Sequence, residues 1–185
     1  MIYTSHYQDP VDACHGITGT LEIILYQIAT MSTTTNKQLS FETSLNWLSA
    51  DRGILHAHHV NGPIYVTAPE QFGGTGKEWS PEHLLLGAVA SCFMSTFITF
   101  AKKQGLEFSH FECRASGQVE IVQGKYKFSA IHVISVTYIH SETIREKAMA
   151  VIGKTQAYCL ISNSINAAIT YDNQVLVAAH LVPAN

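Results

Sequence analysis

Residues 80–105 read SPEHLLLGAVASCFMSTFITFAKKQG, and this stretch decides the fold. Ser80 is a capping residue, Pro81 suits the first helical position, and Glu82 places an acid in the first turn. Gly105 is a natural stop. Between them, Leu84 to Ala101 form eighteen residues without a charge, which just reaches the length of a bilayer span. Ser91, Cys92, Ser95, Thr96 and Thr99 interrupt that run. Its flanks read as strands of a soluble sheet, so the pattern predicts a buried central helix over roughly 81–103, since a helix apolar all round must be covered.

Working upstream, residues 39–48 alternate. Leu39, Phe41, Leu45 and Trp47 share one side, and Ser40, Glu42, Ser44 and Asn46 the other, as in a half-buried strand. Asp51-Arg52-Gly53 is a turn signal. Ile54–Val60 and Ile64–Thr67 read as a hairpin around Asn61-Gly62. A glycine-rich loop, EQFGGTGKEW, occupies residues 70–79. Downstream, Phe111, Cys113, Ala115, Val119 and Ile121 alternate with polar residues, and a turn at Gln123-Gly124 leads to a strand over Phe128–His140. Ser141 then caps an amphipathic helix with Ile144, Ala148, Val151 and Ile152 at helical spacing, and Cys159 follows on the same side. A final strand is expected over about 166–177. The order of strands, long helix, strands, helix and strand predicts an α+β fold of antiparallel strands packed on helices, not an alternating parallel sheet.

With 185 residues, 46% of them hydrophobic and 14% charged, the chain can bury a large core and leaves few charges to cover the remainder. An apolar face that seeks a partner subunit is expected. A net charge of -3 with no block of Lys or Arg argues against nucleic-acid binding. Residues 1–30 read as an N-terminal extension, because Met31 and the polar run STTTNKQ resemble a natural start; the domain is expected over 31–185. LEIILYQIA is too short to span a bilayer, and Asp9 and Asp12 stand where a secretory signal carries basic residues. A cytoplasmic, reducing setting is therefore expected, away from membranes, where paired cysteines are more often catalytic than structural.

The cysteines are Cys14, Cys92, Cys113 and Cys159, with no CxxC among them. Taken alone, Cys92 reads as a small core hydrophobe. Its company points elsewhere. The run SPEHLLLGAVASCF, with Pro81-Glu82 ten positions before Cys92, resembles the signature of the OsmC/Ohr family, and so does the approach FGGTGKEW. The family's second cysteine normally lies in Cys-Pro-(Val/Ile)-Ser. Here the run is Cys159-Leu160-Ile161-Ser162, with Leu for Pro and the serine kept. The hydroperoxide-resistance branch also uses an arginine from an early strand turn, the place held here by Arg52. The resemblance covers about residues 38–177. It implies an intertwined homodimer that reduces organic hydroperoxides without a cofactor or metal. It further implies Cys92 as the peroxide-reactive thiol, Cys159 as its resolving partner, Arg52 and Glu82 as an assisting pair, and a lipoyl-type dithiol as reductant.

The chemistry of those residues is coherent. A thiol attacks peroxide as the thiolate, which an apolar helix disfavours, so Cys92 needs a cation such as Arg52, held by Glu82 through a two-pronged pair. Ten helical positions rise about 15 Å, so Glu82 cannot touch Cys92 along one straight helix. Either the helix bends, or the pair serves the Cys92 of a second subunit. The resemblance to an intertwined homodimer favours the second, with Glu82 and Cys92 expected to approach more closely between chains than within one. Other signals are weaker. His56 and His58 would share a strand face, as two metal ligands or as a solvated surface. His83 is a candidate pocket residue and Cys113 a core residue. Phe72, Trp79, Phe93, Phe97 and Phe100 fit either a core or an apolar pocket for a lipid-like peroxide. The competing functional reading is a non-catalytic stress-related or small hydrophobic ligand-binding protein on the same fold. A membrane-anchored domain is a third.

Overall fold

The structure is a computed structural model and describes residues 38–178. The extension at 1–30 and Cys14 lie outside them. The compact unit that begins at Thr43 is α+β. Three strands come first: β1 (Thr43–Ser49), β2 (Arg52–Ala57) and β3 (Ile64–Val66). They form an antiparallel sheet in that order, with Leu45 opposite Leu55 and Ile54 opposite Tyr65. β2 ends at Ala57, so the connection to β3 is longer than the two-residue turn expected at Asn61-Gly62. His59 and Gly62 turn it with positive φ (65° and 80°).

The loop after β3 returns to the same sheet. The Thr67 N–H donates to the Trp79 carbonyl at 2.9 Å, and Val66 and Trp79 form a bridge. Helix α1 (Pro81–Gln104) then starts as its sequence requires. The Ser80 hydroxyl accepts the His83 N–H at 3.3 Å, and His83 Nδ1 accepts the Ser80 N–H at 3.4 Å. This is a capping box with histidine in the place of the usual acid or amide. Gly105 ends the helix in the left-handed region, φ 58°.

A second sheet follows, β4 (His110–Val122), β5 (Lys125–Ile139) and β6 (Ala168–Val177), in the order β4-β5-β6. β4 and β5 pair antiparallel, but β5 and β6 pair parallel. That corrects the wholly antiparallel expectation. Between β5 and β6 the chain makes helices α2 (Arg145–Tyr158) and α3 (Leu160–Asn163), a crossover that brings β6 in along the direction of β5. Ser141 caps a short 3-10 turn, Glu142–Ile144, that precedes α2.

The core lies between this sheet and the helices. From α1 come Val89, Phe93, Phe97 and Ala101, four apart, and from α2 come Ala148, Val151, Ile152 and Thr155. From β5 come Ile131, Val133, Ser135, Thr137 and Ile139. Phe97 stacks on Phe111 at 4.4 Å between ring centroids and meets Phe108 at 5.1 Å. Only this one face of α1 is buried. Met94 on another side is 43% exposed, so the expectation of a helix covered all round is not met among the described residues. The same holds for β1, where Leu45 and Trp47 alternate as read but remain exposed (56% and 71%). The described residues cover one side of α1 and neither side of β1.

Candidate functional site

Cys159 occupies the single extended residue (φ -65°, ψ 107°) between α2 and α3. The amphipathic stripe of α2 carries it inward, and it is wholly buried. Cys92 sits on α1 as a half-buried, free thiol packed against the same core. The turn Cys159–Ser162 brings the two together. The Ile161 N–H donates to Cys92 Sγ at 3.5 Å, and the Ser162 hydroxyl donates to Cys159 Sγ at 3.1 Å. Burial pushes the Cys159 thiol up, Ser162 hydrogen bonding pulls it down, and contact with Cys92 pushes it up again. Two thiols in interaction range, each given a hydrogen-bond donor, are an arrangement for forming and opening a disulfide.

Cys113 has no such donor. It lies on the inward side of β4, opposite Ser135, and its thiol is pushed up to about 11 by burial and by the nearby Cys159. It is half-buried and packs against the core, as its place in the alternation predicted.

Arg52 stands apart from this pair. At the start of β2, its Nε donates to Glu78 Oε1 at 3.1 Å and its Nη2 to the same oxygen at 2.5 Å. The pairing with Glu82 expected from the sequence is therefore absent in this chain, where Glu78 takes the arginine. The reason is the loop closure at Trp79, which carries the neighbouring Glu78 to the rim of the first sheet. Glu78 holds the guanidinium firmly in its charged form. Both side chains remain partly exposed, 44% and 20%, so water and salt screen the pair. Nothing in the sequence pattern announced Glu78, because the two residues are 26 positions apart and share no element.

Glu82 faces a cavity of about 510 Å³, bordered among others by Phe72, His83, Leu86, Tyr126 and Phe128. Its Oε2 is buried with no hydrogen-bond partner. Such a carboxylate oxygen calls for a hydrogen-bond donor. His83 lines the same cavity, as its neighbourhood to Glu82 suggested, and so does Phe72, whereas Phe93 and Phe97 are core. Gly117 keeps the floor open: a Cβ there would stand 2.6 Å from the Phe128 ring. The histidine run does not form a strand face, because β2 stops at Ala57 and His58 and His59 lie in the turn, their rings 3.7 Å apart. Among the described residues, no three His, Cys, Asp or Glu side chains gather as metal ligands do.

Comparison with known proteins places these features in context. The family profile described as OsmC-like protein matches residues 74–172, which include Glu82, Cys92 and Cys159 but not Arg52. An uncharacterised Bacillus subtilis protein, YmaD, is 27% identical over 128 residues, 68% of this chain and 85% of that protein. An OsmC-like protein of unknown function from Vibrio cholerae superposes with a TM-score of 0.65 at 15% identity, over 74% of this chain and 99% of the other. An organic hydroperoxide resistance protein from Elizabethkingia anophelis does so with a TM-score of 0.62 at 17% identity, over 77% and 99% of the two chains. At these identities the solved structures speak for the fold.

Proposed function

The chain belongs to the OsmC-like protein family, and from that premise we propose that it is a thiol peroxidase of oxidative stress defence, acting on organic hydroperoxides. The observation that carries the reading is the Cys92–Cys159 pair, gathered by one turn of chain that donates a hydrogen bond to each sulfur. The Cys92 thiolate attacks the terminal oxygen of the hydroperoxide. The O–O bond breaks, the alkoxide takes a proton and leaves as the alcohol, and Cys92 becomes a sulfenic acid. Cys159 attacks that sulfur, releasing water and forming the disulfide. A small dithiol, lipoyl-type by family resemblance, returns both thiols by exchange. Oxidised alkyl chains suit the cavity bordered by Phe72, Leu86, Tyr126 and Phe128 better than hydrogen peroxide does, since apolar burial supplies the binding energy.

Arg52 and Glu82 are assigned to the Cys92 of a second copy, in a homodimer. Two observations support this. Glu82 and Cys92 lie ten residues apart on one continuous helix, about 15 Å of rise. The buried Glu82 Oε2 lacks a donor, which the Arg52 guanidinium would supply. Arg52 must then exchange Glu78 for Glu82.

The reading is tested by mixing reduced protein with cumene hydroperoxide and counting free thiols. Two thiols per chain are expected to disappear, and Cys92→Ser is expected to abolish the loss. An unchanged thiol count in the unaltered protein would sink the proposal. A second reading, capture of a small hydrophobic ligand without chemistry, is favoured by one observation: neither cysteine borders the apolar cavity. In that case the same experiment leaves every thiol in place while the hydroperoxide still binds.

A further inference from the structure

Cys159 has two needs that conflict. It must be buried to meet Cys92, and it must ionise to attack it. At 0% exposure no water reaches it to support a thiolate. One side chain answers this. Ser162, 7% exposed, spends its hydroxyl proton on Cys159 Sγ at 3.1 Å. The placement follows from the turn: Cys159 caps α3 and Ser162 is its third residue, so the two side chains fall on the same side of the turn. The turn is itself tied down, with the Asn163 N–H on the Cys159 carbonyl at 3.0 Å and Asn163 Nδ2 on the Ala157 carbonyl at 3.0 Å. Leu160, between them, is 65% exposed and contributes no packing that would hold the sulfur. Cys113 is the internal contrast: it packs against the same core without a hydroxyl donor.

We propose that Ser162 is a positioning residue for the resolving step, aiming Cys159 Sγ at Cys92 and stabilising it as a thiolate when it attacks the sulfenic acid and when it leaves during reduction. The inference rests on the peroxidase reading and deepens it. In the forward step the Cys159 proton is lost as its sulfur bonds to Cys92, the sulfenic oxygen leaves as water, and the Ser162 O–H stays on the sulfur throughout. In reduction a dithiol sulfur attacks Cys92 Sγ and expels Cys159 as the thiolate, again with the serine donating. A hydrogen bond to a charged group dominates its cost, so its loss slows either step about ten-fold or more.

The experiment is rapid mixing with cumene hydroperoxide, following sulfenic acid with dimedone and the disulfide by mass. For Ser162→Ala, sulfenic acid is expected at the unaltered rate, disulfide formation about ten-fold or more slower, and Cys92 sulfinate accumulating under excess peroxide. Ser162→Thr, which keeps the hydroxyl, is expected to restore the rate, and Ser162→Val, whose side chain matches threonine in shape without the hydroxyl, to leave it slow. Should the alanine variant fail to fold, the threonine–valine pair decides alone. Disulfide formation in Ser162→Ala at the unaltered rate overturns the inference, as do equal rates in the threonine and valine variants. Absence of sulfenic acid and disulfide in the unaltered protein instead overturns the peroxidase reading.

Discussion

At the scale of single residues, the three described cysteines differ in what touches the sulfur. Cys92 receives an amide N–H, Cys159 a hydroxyl, and Cys113 neither of these. The Cys113 thiol is held in its neutral form by burial, pushed up to about 11 from 9.0. A thiol whose folded value lies above its unfolded one stabilises the fold fully below the unfolded value and loses that contribution as pH rises to the folded one. Fold stability is therefore expected to fall between pH 9.0 and about 11, and Cys113→Ser to flatten that fall while sparing the peroxide-driven loss of two thiols. Denaturant midpoints across that range, with a thiol count at neutral pH, check both halves. Arg52 shows the limit of reading residues singly. Its type and place were legible, but its partner Glu78 depended on where a loop closed.

At the scale of elements, α1 is the part most fully written in sequence, because each of its boundary signals is local. Ser80, Pro81 and Gly105 act within a few residues of themselves, and the helix runs Pro81–Gln104 as they demand. The loop before it was legible only as glycine-rich. Its geometry shows why glycine stands at one position: a Cβ on Gly74 would lie 1.6 Å from the Ala68 carbonyl oxygen. That neighbour is backbone and cannot swing aside. Gly74→Ala is accordingly expected to displace the loop, free Arg52 from Glu78 and destabilise the fold by about 1–3 kcal/mol. Thermal unfolding together with proteolysis within residues 70–79 reads the two effects; a variant with unchanged melting and cleavage would contradict the account.

At the scale of the whole molecule, apolar residues lie where the described residues place nothing over them. Leu45, Trp47, Ile64 and Tyr65 on the first sheet are 43–71% exposed, and α1 buries one face only. Exposed apolar residues gathered on one sheet are the ground for expecting association. Sedimentation is expected to return twice the chain mass, and Trp47→Glu to shift the mass toward one chain. A monomer at micromolar concentration would remove the basis for assigning Arg52 and Glu82 to a second copy.

Sequence alone determined the α+β class, the long helix with its caps and the strand periodicities, since each rests on signals carried over a few residues or one period, while the choice of Cys92 and Cys159 among the cysteines came from resemblance to a family. Tertiary structure decided the parallel entry of β6, the choice of Glu78 over Glu82 by Arg52, and the meeting of the Ile161 N–H with the Cys92 sulfur. Those are contacts between distant parts of the chain, set by how a crossover or loop closes, and local spacing carries no record of that closure. The same division applies to the long uncharged run in α1. Its composition called for burial on every side, and the folded chain shows that it can bury one.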